Sequence, residues 1–183
     1  MLLAHRLVNA AAPLALAAAL AAPLDAQTAS APALKAAFVY NFATFAEWPA
    51  DATPPGPLTI CVLGDEVIAG ALEGTVKGRA IGGRAVVVSR VKSDALLACH
   101  VLYLTGFDAK RSQEIIDGLR NAPVLTVSDQ HRFAEAGGIA GMFVQDGKMR
   151  FAINVEAAQR ARLHLSSRLL SLATIVKDDN ARP

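Results

Sequence analysis

Aromatic residues are scarce in this chain: seven Phe, two Tyr and one Trp among 183 residues. A core must therefore rest on aliphatic side chains, and an apolar fraction of 53% is enough to build one. No sign of charge dominates. The 18 basic and 16 acidic residues leave a net charge of +2, so the concentrated basic face that nucleic-acid binding needs is missing. No run of five like charges occurs, which excludes a polybasic or acidic tail. Neither G-x-G-x-x-G nor G-x-x-x-x-G-K is present, so no phosphate-cradling loop is indicated. No G-x-S-x-G elbow presents a nucleophile, and no paired carboxylates suggest acid–base work. Cysteine is limited to Cys61 and Cys99, and the four histidines are His5, His100, His131 and His164. That set matches no metal-ligand spacing. The composition thus predicts no metal, no cofactor and no catalytic residue; the chain reads as a binding protein and not as an enzyme.

One long apolar run does exist, at the start. Arg6, with His5, forms a short basic region, and residues 10–22 then carry only Ala, Leu and one Pro. Ala26 supplies a small residue before Gln27. This layout predicts a secretory signal peptide over residues 1–26; the alternatives are a buried Ala-rich helix or an uncleaved anchor. The run is shorter than the roughly 20 residues a membrane span takes, and no second such run follows. The expectation is a periplasmic protein, not membrane-inserted after processing near Ala26, with residues 27–183 forming a single domain. Export would place Cys61 and Cys99 in an oxidising space, where two thiols tend to pair. The alternative is two buried reduced thiols.

Periodicity orders the remainder. Leu34, Phe38, Phe42 and Phe45 recur at helical spacing and predict a helix over 33–48. Residues 58–63 are continuously apolar, as in a strand buried on both faces. A short helix over 66–72, a glycine-rich loop over 74–83 and a strand around 85–88 follow. Ser93 and Asp94 open a brief turn or helix. Strands are expected at 99–105 and 123–127, with an amphipathic helix over 109–120 between them. A short helix is expected over 130–136. Asp146-Gly147 between two apolar runs, 139–144 and 148–153, is a strong hairpin signal. Asn154 can cap a helix that continues through Ala161. Leu165, Leu169, Leu172 and Val176 predict a last helix over 165–176, and residues 177–183 are expected to fray. Strands alternating with helices imply an α/β fold: a single three-layer α/β/α domain with a mostly parallel sheet and a C-terminal antiparallel hairpin.

Few residues stand out as contacts. Lys77, Arg79 and Arg84, set among glycines, could hold an anion such as a nucleotide or carboxylate, or simply be solvated. Ser128 and Asp129 close a strand at the end where α/β sheets bind ligands, or else cap the next helix. Tyr40, Asn41 and Trp48 are the polar or amphipathic members of the first helix. Asn41 lies close to the Phe38–Phe45 stripe, where it would bond nearby backbone or line a cleft. Ser128, Ser166 and Ser167 with His131 or His164 offer only a weak hydrolase reading.

The segment Lys35-Ala-Ala-Phe-Val-Tyr-Asn-Phe-Ala-Thr-Phe-Ala-Glu-Trp-Pro49 resembles the opening helix of the YfiR-like family of periplasmic proteins. Ile60-Cys-Val-Leu-Gly64, Cys99-His-Val-Leu-Tyr103, Val124-Leu-Thr-Val-Ser-Asp129, Gly137-Gly138, Arg150-Phe-Ala-Ile-Asn154 and Leu165-Ser-Ser-Arg-Leu-Leu170 resemble later segments of the same family in the same order. The resemblance runs over about residues 33–176. It implies a regulator that binds the periplasmic domain of an inner-membrane signalling protein, a diguanylate cyclase, and holds its output low. Cyclic di-GMP and biofilm formation would fall as a result. It also implies a homodimer and a family disulfide between Cys61 and Cys99. A second cysteine pair found in well-studied members is missing here, so redox sensing through that pair does not carry over. The alternative is a periplasmic receptor for a small ligand, a nucleotide or amino acid, using the 74–84 segment or the strand ends near Asp129.

Overall fold

A computed structural model describes residues 31–51, 56–93 and 95–179. The expected signal peptide lies outside the described residues, as does Asp94. Helix α1 (Ala31–Thr44) leads into a short strand β1 (Ala46–Glu47). Then come β2 (Leu58–Leu63), α2 (Glu66–Val76), β3 (Ala80–Ile81), β4 (Arg84–Arg90), a 3-10 turn (Leu96–Ala98) and β5 (Val101–Leu104). The second half holds α3 (Ala109–Leu119), β6 (Leu125–Ser128), β7 (Ala140–Gln145), β8 (Lys148–Asn154), α4 (Val155–Arg160), β9 (His164–Leu165), α5 (Ser167–Leu170) and β10 (Thr174–Val176).

Eight strands form one sheet in the order β10-β8-β7-β6-β5-β2-β4-β3. The inner ladders from β4 to β7 are parallel, while β3 and β8 run antiparallel to their neighbours β4 and β7. Strand β10 lies parallel to β8 at the edge. The fold is therefore a mixed α/β sheet, mostly parallel and flanked by helices, as the alternation of elements implied.

The continuous apolar strands are buried on both faces for the expected reason. Ile60, Val62, Val101, Tyr103, Leu125 and Val127 pack toward α1, α2 and α4 in one cluster. Cys61, Leu63, Leu102 and Leu104 turn the other way, toward Ile115, Ile116 and Leu119 of α3 and toward Phe133. This second layer is thin. Helix α3 covers β2, β5 and β6, but over β7, β8 and β10 the same face has, among the described residues, only the turns of residues 130–138.

Asp146 and Gly147 both take positive φ, 50° and 70°, and close the β7–β8 hairpin with Gln145 opposite Lys148. A left-handed pair of this kind matches the twist of the flanking strands. Asn154 caps α4 as expected, its side chain accepting from the Ala157 N–H at 2.8 Å. Cys61 and Cys99 are bonded, with Cα atoms 5.7 Å apart.

Other expectations are corrected. Helix α1 stops at Thr44, because the chain must swing out at Phe45 for β1 to pair with β9. Helix α2 runs four residues past Leu72, to Val76. The expected glycine-rich loop is thus partly helix, and its rest is a tight hairpin in which Gly82 and Gly83 take positive φ between β3 and β4. Residues 130–136 form turns instead of a helix; Arg132 sits at φ 55° and breaks any helical run. The last helix is cut to one turn, α5. Leu172 is 72% exposed, and the β-branched run Thr174-Ile175-Val176 pairs with β8 as a strand, which suits its stiff side chains. Asp178 and Asp179, expected to fray, are both ion-paired, and residues 180–183 lie outside the described residues.

Candidate functional site

Carboxyl ends of parallel strands are where such sheets usually bind ligands. Here those ends are closed. Gly64, just past β2, has φ 113°, and a Cβ there would come within 2.0 Å of the Thr105 carbonyl oxygen. Only glycine allows this approach, and it seals the crevice between β2 and β5. Beside it, Lys35 of α1 is ion-paired with Asp129 at the end of β6, and the Thr105 hydroxyl donates to the same carboxylate at 3.1 Å. Burial pushes the Asp129 carboxyl up. The hydrogen bond and charge of Lys35, helped by Tyr103 and Thr105, more than offset this and hold it below its ordinary value. The Tyr103 hydroxyl is buried next to the pair without a hydrogen bond of normal geometry. Burial, then the Asp129 charge, raise its pKa well above the usual phenol range. Asp129 is thus a clamp between α1 and the sheet, not a helix cap. Ser128 is fully buried and its hydroxyl accepts from the Gln130 N–H at 3.1 Å.

A second polar group gathers at the opposite strand ends. The buried His100 ring accepts from the Thr59 N–H through Nδ1 at 3.1 Å, and its Nε2 lies 2.9 Å from the Arg84 guanidinium. A neutral imidazole accepts through one nitrogen only, so these two contacts compete for the ring's lone pair. Trp48 Nε1 donates to the His100 carbonyl at 3.1 Å, and its ring meets the His100 ring edge-on at 5.9 Å. Arg84 also donates to the carbonyls of Gly56 and Pro57. Trp48 and Arg84 therefore tie β1, β4 and the β5 entry together. Arg79 lies over the Tyr40 ring, 5.0 Å from its centroid, while Lys77 stays exposed. The three basic residues of this segment do not converge on one anion. Asn41 faces solvent instead of the apolar stripe, so it needs no buried partner.

The weak hydrolase candidates are apart. Ser166 caps α5 by accepting from the Leu169 N–H at 3.3 Å, and Ser167, His131 and His164 are exposed. Among the described residues, no three His, Cys, Asp or Glu side chains could hold a metal ion.

What the sequence did not reveal is an open apolar cleft of 510 Å³ on the thinly covered face. Its floor is Gly141, Phe143, Ala152, Thr174 and Val176, and its wall is the turn carrying His131, Arg132 and Phe133. Phe143 and Val144 point to opposite faces of β7, and they are 37% and 68% exposed. Two apolar residues in succession near a hairpin tip were the available signal, since one of them must face solvent. Lys148 and Arg150 lie across the ladder from Gln145 and Phe143, both exposed.

The sequence model of the YfiR/HmsC-like family matches residues 32–174, which takes in every element except Ala31 of α1 and the last two residues of β10. The chain belongs to the YfiR/HmsC-like family. The family is one of periplasmic regulators rather than enzymes. Among the described residues, no helix is long and apolar enough to cross a membrane. Two solved structures resemble the YfiR/HmsC-like chain. One is a conserved domain protein from Vibrio cholerae O1 biovar El Tor, at 18% identity and a TM-score of 0.45. The other is the ABC domain in complex with L-Trp from Streptococcus pneumoniae, at 12% identity and a TM-score of 0.45. Each comparison covers 69% of this chain and 57% of the other, so the chain spans little more than half the length of those proteins.

Proposed function

We propose that this protein is an exported regulator that binds the periplasmic domain of a membrane-bound diguanylate cyclase, acts as a homodimer, and holds cyclic di-GMP and biofilm formation down. The family match over residues 32–174 carries this reading. The geometry supports it in two ways. The polar side chains at the strand ends are engaged with one another: Asp129, which borders the open cleft, is held by Lys35 and Thr105. The open cleft on the thinly covered face has an apolar floor, with Lys148 and Arg150 exposed on the β7–β8 ladder beside it, which suits the docking of a partner segment better than a reaction. A repressor needs only to bind one state of its target more tightly than the other.

Binding of the purified protein to the cyclase's periplasmic domain tests the reading, together with cyclic di-GMP in a deletion strain. We expect a direct complex, and higher cyclic di-GMP after deletion. No complex and an unchanged nucleotide level overturn it. The cleft volume also falls within the range of small-molecule sites, which favours the second reading of a small-ligand receptor. Thermal stabilisation by a nucleotide or amino acid, with no effect of the cyclase domain, would select that one.

A further inference from the structure

Beyond the docking cleft, α3, α4 and the end of the chain meet at an internal ion cluster. Asp178 lies just past β10, and its side chain is 3% exposed. One carboxylate oxygen accepts from Arg160 at 2.6 Å and faces Arg120 at 3.8 Å. The other accepts from the side-chain amide of Asn154, which also donates to the Ala134 carbonyl at 2.9 Å. Arg160 Nε is buried with no hydrogen-bond partner, so its guanidinium has donor capacity that Asp178 leaves unused. A cleft of 270 Å³ adjoins the cluster, lined by Gln113, Asp117, Arg120, Gly137 and Arg160. The strand that delivers Asp178 is weakly held by apolar contact. Thr174 and Ile175 are exposed, and Ile175 keeps 52% of its surface in solvent.

We propose that Arg120, Arg160 and Asn154 form a carboxylate-binding site that the chain fills in cis with Asp178. Two arginines and an amide aimed at one point make a strong carboxylate receptor. Occupancy latches β10 onto the edge of β8 and keeps Thr174 and Val176 in the floor of the apolar cleft. An acidic side chain arriving in trans would compete with Asp178 and free the strand. The assignment does not depend on the identity of any partner.

Amide hydrogen exchange on the intact protein tests it. Asp178→Ala should raise exchange at residues 174–179 by about tenfold, while β2 and β5 stay protected. Acetate should compete with Asp178 in the wild type and raise exchange at residues 174–179, and chloride at equal ionic strength should not. In Asp178→Ala, where the strand is already released, acetate should have no further effect. A peptide of residues 171–183 added in trans should bind the Asp178→Ala protein, and the peptide with alanine at position 178 should bind less. The isosteric Asp178→Asn variant covers the case in which alanine disturbs folding, and it too should loosen residues 174–179. Unchanged exchange in the substituted proteins, or equal effects of acetate and chloride, overturns the assignment.

Discussion

The clearest physics at the scale of a residue is the Lys35–Asp129 pair. The partners are 94 positions apart, half-buried, and they tie α1 to the sheet. The folded state holds the Asp129 carboxyl below its ordinary value, which for an unfolded chain is about 3.9. The group therefore contributes its full stabilisation above about pH 4, and loses it as pH falls through the lower folded value. Lys35→Met removes the cation and leaves the burial. The carboxylate should then cost about 1–2 kcal/mol at pH 7, and acidification toward pH 4 should recover part of that loss instead of adding to it. Urea midpoints at pH 7 and pH 4 for both proteins check the sign; parallel acid profiles would count against the clamp. Gly64 gives a sterically independent test. Alanine there needs φ 113° and puts Cβ 2.0 Å from a backbone oxygen, so Gly64→Ala should lose about 3 kcal/mol or more. A thermal midpoint within a degree or two of wild type would contradict that packing.

Elements were legible where one local signal sufficed. The β2 run, the amphipathic α3, the Asp146-Gly147 hairpin and the Asn154 cap each follow from residues within a few positions of one another. Elements that depend on distant partners were not. Helix α1 ends early because β1 has a strand to join 119 positions away, Ala46 facing Leu165. The leucine spacing after Leu165 looked helical, yet Leu172 faces solvent and a β-branched triplet finds a vacant sheet edge. The bridge between Cys61 of β2 and Cys99, just before β5, acts at this same scale. It closes a separation of 38 residues within the thin layer. Restricting the unfolded chain in this way is worth about 4 kcal/mol on the chain-entropy account. The double variant Cys61→Ala, Cys99→Ala should therefore melt about 10 °C lower, and reductant should shift wild type but not the variant. If reductant moves neither protein, the bridge contributes nothing to stability.

For the whole molecule, the layer asymmetry decides where a partner can sit. Helices α1, α2 and α4 close one face of the sheet, and α3 closes only half of the other. Of the residues singled out from sequence as contacts, Trp48, Arg84, Ser128 and Asp129 lie in polar knots, while Asn41 and Lys77 face solvent and Arg79 covers Tyr40, because their type marked them and their packing could not be read. The cleft was hidden because its floor comes from three strands and a turn brought together only by the fold. Lys148 and Arg150 stand exposed beside it, across the ladder from Gln145 and Phe143, while the molecule as a whole is nearly neutral at +2, so any attraction for an acidic segment is local. Two substitutions separate the apolar floor from the basic residues beside it. Phe143→Glu places a charge where an apolar contact would be desolvated, and should weaken the complex with the cyclase's periplasmic domain by at least about tenfold, mainly through faster dissociation. Arg150→Glu should slow association and flatten its dependence on salt, as a rim charge does. Both positions are exposed, so thermal stability should change by less than about 0.5 kcal/mol. Surface plasmon resonance at two salt concentrations reads both effects. Wild-type kinetics in both variants would move the docking face off this side of the sheet, and would leave the closed α1–α2 face as the surface to test.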